Sequence, residues 1–245
     1  ILLGLLSAAA LLFLTTTDWL MGVTSRQIPH SWEAELGNAM YNNVINDKQI
    51  LESDDLSELL LSITSPLVEA ANEPEIDFRF HVVHDPTLNA MALPGGHVLI
   101  FSGLIEESES TEMVAAVIAH EIGHTIRRHQ MRAMLREAGF AITLRMLTGN
   151  GNTAMVRTLV LRAGKDLASL SYQRSDELEA DETGWQLLKR ANINPRGMIA
   201  VFKALRDRTG VSESGVPNVF STHPSATERI ERLEQRWSSN RLTEE

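Results

Sequence analysis

The sequence predicts an α-rich α+β fold with a small mixed sheet, and three observations carry that prediction. Helical patterns occupy most of the chain after residue 30. Strand signals are confined to two short segments between residues 76 and 101. Between these and the C-terminal half, the apolar run Met113-Val114-Ala115-Ala116-Val117-Ile118-Ala119 leads without a break into His120-Glu121-Ile122-Gly123-His124. That run reads as one buried helix, and the sheet is expected to pack beside it.

The chain opens on an uncharged apolar segment that includes Leu2, Leu3, Leu5, Leu6, Leu11, Leu12, Phe13 and Leu14. No charge comes before Asp18, and Trp19 sits where an interface would be. About 20 apolar residues span a bilayer, so residues 1–24 are read as a membrane anchor, cut within or before the span because the first residue is Ile. A signal-peptide core is the rival reading. Arg26 alone flanks the segment, so loop charge does not set an orientation. Residues 25–245 are read as one catalytic-sized domain, long enough to bury a sizeable core.

Within that domain, residues 31–50 and 57–71 have helical patterns, and Glu73-Pro74-Glu75 stops the second. Ile76, Phe78, Phe80 and Val82 alternate with Asp77, Arg79 and His81, which predicts a strand with one buried face. Asp85-Pro86 ends it. Leu93-Pro94-Gly95-Gly96 is a turn, and residues 97–101 are the next strand. Ser110 is the expected N-cap of the His120 helix, with Glu112 in its first turn; the helix is expected to continue past Gln130. A Gly-Asn loop at 149–152 separates helical stretches 141–147 and 155–170. Asn194-Pro195 precedes a helix at 197–207. Residues 211–222 read as a loop and 225–237 as the last helix.

Composition excludes several classes. A net charge of -10 argues against a nucleic-acid partner. The absence of cysteine rules out a disulfide framework and thiolate metal ligands.

The chemistry lies in His120-Glu121-x-x-His124. On a helix turning about 100° per residue, His120 and His124 share a face and can offer two imidazole nitrogens to one metal ion. Two neutral imidazoles suit Zn2+, and Glu121 beside them suits a general base acting on a water. A third ligand is expected from Glu177. Glu177 and Asp181 are four apart and share a helix face, so one carboxylate can bind metal while the other accepts the remaining ring N–H of a ligating histidine. Glu179 competes for the ligand role but lies about 200° around that helix from Glu177. A solvated acidic helix face is the plain alternative. His129 is expected on the far side of its helix, in a polar face with Arg127 and Arg128. His81, His84 and His97 are expected to be structural or exposed, and His30 says little.

In combination, the His120-Glu121-Ile122-Gly123-His124 helix, Arg174-x-x-Glu177-x-x-Ala180-Asp181 and Thr222-His223-Pro224-x-x-x-x-Arg229-Ile230 resemble the membrane-associated gluzincin peptidases. These are family 48 of the metallopeptidases, which includes HtpX, the CAAX prenyl proteases and BepA. The resemblance runs from about Ser31 to Trp237 and fits the BepA-like and Oma-like branch better than the multi-span prenyl proteases. It implies a zincin-type fold and one Zn2+ on His120, His124 and Glu177. It also implies a catalytic Glu121 and a supporting Asp181. Endoproteolysis of unfolded or misassembled polypeptides near a membrane is implied as well. The implied location is membrane-anchored with a periplasmic catalytic domain in a Gram-negative bacterium; the mitochondrial inner membrane or a cytoplasmic face are the alternatives. Asn89, Ala90 and Ala92 match the family's substrate edge strand, where backbone pairing gives sequence-tolerant affinity. His223 is left with three roles: a regulatory metal contact, an oxyanion donor, or a helix cap. Arg229 is left with oxyanion or carboxylate contact, or a structural salt bridge. A latent or degenerate zincin acting as a chaperone or assembly factor, and a zinc hydrolase of non-peptide substrates, are the rival functions.

Overall fold

The structure, a computed structural model, describes residues 21–139, 172–209 and 226–241. The expected anchor core, the stretches at 141–147 and 155–170, and His223 with its loop lie outside the described residues. Among the described residues, no helix is long and apolar enough to cross a membrane.

After a helical segment at 21–27, the elements run α1 (His30–Asp47), β1 (Ile50–Leu51), α2 (Asp54–Ala71), β2 (Arg79–Val83), β3 (Ala90–Ala92), a 3-10 turn (Pro94–Gly96) and β4 (His97–Phe101). They continue with α3 (Ser102–Glu107), α4 (Thr111–Ile126), α5 (His129–Ala138), α6 (Arg174–Arg190), α7 (Arg196–Thr209) and α8 (Ala226–Arg241). This is the α-rich α+β architecture the sequence predicts. The sheet is mixed, in the order β1-β2-β4-β3. β2 runs parallel to β4, and the two outer strands are antiparallel to their neighbours.

The strand expected from Ile76 starts only at Arg79, and two other elements shift from expectation for local reasons. α2 begins at Asp54 rather than residue 57, because the Ser53 hydroxyl accepts a hydrogen bond from the Leu56 N–H at 3.2 Å and Asp54 and Asp55 suit a helix N-terminus. The first helix stops at Asp47, because Ile50 and Leu51 leave it to pair with Val83 and Val82. The turn before β4 needs its glycines: Gly95 and Gly96 have φ of 74° and 101°.

β4 is buried on both faces. Val98 and Ile100 join one apolar cluster with Ala90 and α4, while Leu99 and Phe101 join a second with Leu36, Met40, Met134 and Leu135. α4 is buried at every residue from Met113 to Thr125, so its periodicity is apolar all round rather than striped. It lies between the sheet and the pair α6 and α7. The approach of α4 to α6 depends on missing side chains. A Cβ on Gly123 would lie 2.9 Å from the Ala180 carbonyl oxygen, and one on Gly184 3.1 Å from that of Ala119. This close crossing puts Glu177 opposite the two histidines.

The expected continuation of the helix past Gln130 is corrected. α4 ends at Ile126, and Arg128 takes a left-handed conformation with φ 56° before α5 starts at His129. Such a backbone is costly for a non-glycine residue. It is held by Arg128 itself, which donates to buried Glu33 at 2.9 Å and to the Ile28 carbonyl. The turn re-aims everything after it.

Candidate metal centre

His120 and His124 come together on α4 as their spacing predicts, with Nε2 atoms 3.0 Å apart. Glu177 on α6 faces both: Oε2 lies 3.6 Å from His120 Nε2, and Oε1 lies 3.5 Å from His124 Nε2. One ligand atom from each residue falls within 4.8 Å of the others, and all three residues are buried. Metal–ligand bonds of 2.0–2.2 Å at tetrahedral angles place neighbouring donors about 3.3 Å apart. The histidine nitrogens are 3.0 Å apart and each lies 3.5–3.6 Å from its nearer Glu177 oxygen, so the donor set is close to tetrahedral spacing and suits such an ion in chemistry.

Asp181 also lies where its spacing predicts. Its Oδ1 is 3.0 Å from His120 Nδ1, the ring nitrogen turned away from Glu177. Arg229 on α8 completes this side. It donates twice to Asp181, at 2.7 Å each, and reaches Glu177 Oε2 at 2.6 Å. Its side chain is 1% exposed and stacks on Phe202 at 4.2 Å. Of the roles left open for Arg229, the salt bridge is the one its position supports. Ion pairs of Arg174 with Glu228 and of Arg236 with Glu182 fasten α8 to α6.

The charges balance locally. Burial opposes a positive His120, but the Asp181 and Glu177 carboxylates outweigh it and raise its pKa to about 9, with Arg229 working against them. Burial also pushes the Asp181 carboxyl up, yet Arg229 and His120 bring it below its usual range. The pocket therefore favours positive charge at the imidazole nitrogens.

Glu121 is buried and turns toward the sheet. Its Oε2 accepts the Ala92 N–H at 2.8 Å. β3 is an outer strand. The Phe101 N–H donates to the Asn89 carbonyl, and the Leu93 N–H donates to that of His97. Ala90 and Ala92 therefore turn their backbone groups outward. The Asn89 side chain accepts the Ala90 N–H at 2.8 Å, and Gln130 Nε2 lies 3.5 Å from the Ala92 carbonyl oxygen. The alanine side chains do not line that edge. Ala90 and Ala92 are buried, and Ala90 packs with Val98 and Ile100 on the α4 side, where small size lets α4 approach.

Two neighbours were not anticipated. His129 is wholly buried rather than part of a polar face, because the Arg128 turn swings it back. Its Nδ1 is 2.8 Å from His124 Nδ1, and its Nε2 is 3.1 Å from Glu179 Oε2. Burial lowers its pKa although Glu179 and Asp176 act to raise it. Tyr172 stacks on the His124 ring at 4.1 Å; burial first, then Glu121, Glu177 and Asp176, raise its hydroxyl pKa well above the ordinary value. No glycine or proline marks the turn at 127–128, so the sequence carried no signal for His129. Tyr172 lies two residues before α6, outside any periodic pattern. The competitor Glu179 pairs with His129, Arg132 and Arg127 instead of facing the two histidines.

The model of peptidase family M48 matches residues 56–237. This chain belongs to peptidase family M48. Similar proteins include the beta-barrel assembly-enhancing protease of Escherichia coli strain K12, 27% identical over 206 residues, covering 81% of this chain and 42% of that protein. Another is the mitochondrial metalloendopeptidase OMA1 of Saccharomyces cerevisiae, 30% identical over 223 residues, covering 84% of this chain and 63% of that protein. The OMA1 of Arabidopsis thaliana is 34% identical over 163 residues, covering 65% of this chain and 32% of that protein. The chain thus spans less than two thirds of each of these relatives. M48 membership and the buried histidine and glutamate donors support a metal-dependent peptidase.

Proposed function

We propose that this M48 chain is a membrane-associated zinc endopeptidase, with one Zn2+ held by His120, His124 and Glu177 and with Glu121 as the general base. The observation that carries this reading is the convergence of three buried donors at ligand spacing beside a carboxylate hydrogen-bonded to an outer strand. Zinc bound there would polarise the scissile carbonyl and bring the pKa of a water toward neutrality. Glu121 would take the proton of the attacking water and return it to the leaving amine. A polypeptide laid against Ala90 and Ala92 would run past Glu121, because the Ala92 N–H and the Glu121 carboxylate are already joined. Asn89 and Gln130 would yield their places on that edge to substrate backbone groups. Asp181 would orient His120, with Arg229 neutralising the surplus negative charge.

Residues 1–24 are proposed as the membrane anchor and residues 25–245 as the peptidase domain. The proposed substrates are unfolded or misassembled proteins of a bacterial envelope, with a mitochondrial membrane as the alternative setting. The names of the relatives, a beta-barrel assembly-enhancing protease and a mitochondrial metalloendopeptidase, support the two settings. His223 is proposed as a regulatory contact on the metal site.

Zinc content and casein cleavage test the proposal together. The wild-type chain should hold one zinc and cleave casein, and Glu121→Gln should keep the zinc and lose cleavage. Cleavage that survives in Glu121→Gln would refute the assignment of the base.

A further inference from the structure

A second cluster lies behind the metal centre. Ligand-type atoms of His129, Asp176 and Glu179 also fall within 4.8 Å of one another. Three guanidiniums already serve its carboxylates: Arg136 meets Asp176 at 2.6 Å, Arg132 meets Glu179 at 2.7 Å and Asp176 at 3.2 Å, and Arg127 meets Glu179 at 3.4 Å. A cation placed there would face these arginines, so the cluster is poorly suited to a second metal. What it does present is a chain of contacts ending on His124.

We infer that His129 is a positioning residue for the metal centre, holding the His124 imidazole in the tautomer and orientation that presents Nε2 to the ion. The inference rests on the proposed His120, His124 and Glu177 metal site. The hydrogen-bond logic runs in one direction. His124 must keep Nε2 free of hydrogen to act as a ligand, so its proton sits on Nδ1. That N–H points at His129 Nδ1, 2.8 Å away, which must accept. His129 then carries its own proton on Nε2 and donates it to Glu179 Oε2 at 3.1 Å. Arg132 holds that same oxygen. Reversing His129 alone sets two donors face to face, reversing His124 alone sets two acceptors face to face, and reversing both turns a bare ring nitrogen toward the Glu179 carboxylate. His120 receives the equivalent support directly from Asp181. Tyr172 closes the face of the His124 ring. Partners of this kind are worth about 10–100-fold in metal affinity.

The test compares two variants of the full chain, with zinc affinity read by competition against a chromophoric chelator. His129→Phe keeps an aromatic ring but removes the acceptor, and zinc affinity should fall by about 10–100-fold. His129→Asn places a carbonyl oxygen near the position of Nδ1 and should recover most of that loss. The visible spectrum of the cobalt-loaded protein should be altered in His129→Phe and close to wild type in His129→Asn. If His129→Phe does not fold, His129→Gln replaces it; its carboxamide reaches the Nε2 position instead, so it should bind zinc more weakly than His129→Asn. Equal zinc affinity in all the variants, or equal loss in His129→Asn and in the variant lacking the acceptor, overturns the inference. A wild-type chain that binds no zinc overturns the metal site itself, and a wild type that binds zinc separates the two failures.

Discussion

Two histidine pairs among the described residues make nearly the same contact in opposite surroundings. His124 and His129 meet at 2.8 Å between ring nitrogens, and His81 and His97 at 3.0 Å. The first pair ends on a carboxylate, Glu179, and opens on Glu177. The second ends on Arg79 and Asn38, at 3.2 and 2.9 Å from His97 Nε2, under a stacked Tyr41 ring. A histidine pair bounded by anions can collect a cation. One bounded by a guanidinium is held neutral and serves packing. The groups that end each pair, not the histidines, set what it does.

Ligand removal gives the largest expected effect and tests the comparison most sharply. His120→Ala, His124→Ala and Glu177→Ala should each abolish zinc binding measured by atomic emission. Glu179→Ala and His97→Ala should leave the metal in place. Zinc lost in His97→Ala, or kept in Glu177→Ala, would show that the wrong pair had been assigned to the metal.

Arg229 should have the next largest effect. It neutralises Asp181 and Glu177, both fully buried. Arg229→Met strands two buried carboxylates and should cost about 3–5 kcal/mol in urea unfolding. Arg132→Met on the His129 side should cost about 1 kcal/mol or less, because Glu179 is 38% exposed and Arg136 still serves Asp176. Comparable losses in the two variants would remove the distinction between a sealed and an open side.

How much of this was legible in the sequence follows from the range of the signals. A four-residue helical spacing is local, so His120 with His124, and Glu177 with Asp181, could be placed on shared faces without a structure. The fold class followed in the same way from alternation at 76–82 and an apolar run at 113–119. β1 was not legible, because two residues carry no period. The turn at Arg128 was not legible either. Its left-handed backbone is sustained by Glu33, some 95 residues earlier in the chain, rather than by a local glycine. That one turn hid His129, and with it the support behind His124. Arg229 showed its residue type and motif but not the two carboxylates it would meet, since only α8 packing against α6 decides that.

The structural pair can be tested by pH. Burial, then His81 and Arg79, lower the His97 pKa to about 4, with Asp77 the opposing influence; burial and Arg79 also lower that of His81. The folded state therefore resists protonation while the unfolded chain accepts it near 6.5. Stability from His97 is complete above pH 6.5, declines as pH falls toward 4, and is level below that. The decline should reach at most about 3 kcal/mol at pH 4. His97→Phe should flatten this part of the urea-stability profile. A profile as steep as wild type in His97→Phe would place the titrating group elsewhere.

The smallest expected difference lies within the metal centre, between its two supporting carboxylates. Asp181 touches His120 directly and is sealed by Arg229. Glu179 acts one ring further away, through His129, and is partly exposed. A direct partner fixes both the tautomer and the tilt of its imidazole. A partner at one remove fixes only the tautomer of the intervening ring, and water can replace part of its hydrogen bond. Asp181→Ala should therefore weaken zinc affinity by about 10–100-fold. Glu179→Ala should weaken it by less than about tenfold, below the range expected for a direct partner. Chelator competition on the two single variants and the double variant measures both terms. The two losses should multiply in the double variant, because the carboxylates act on different histidines. A Glu179→Ala loss equal to that of Asp181→Ala would mean that His129 transmits the full constraint. The two sides of the metal centre would then be equivalent despite their different construction.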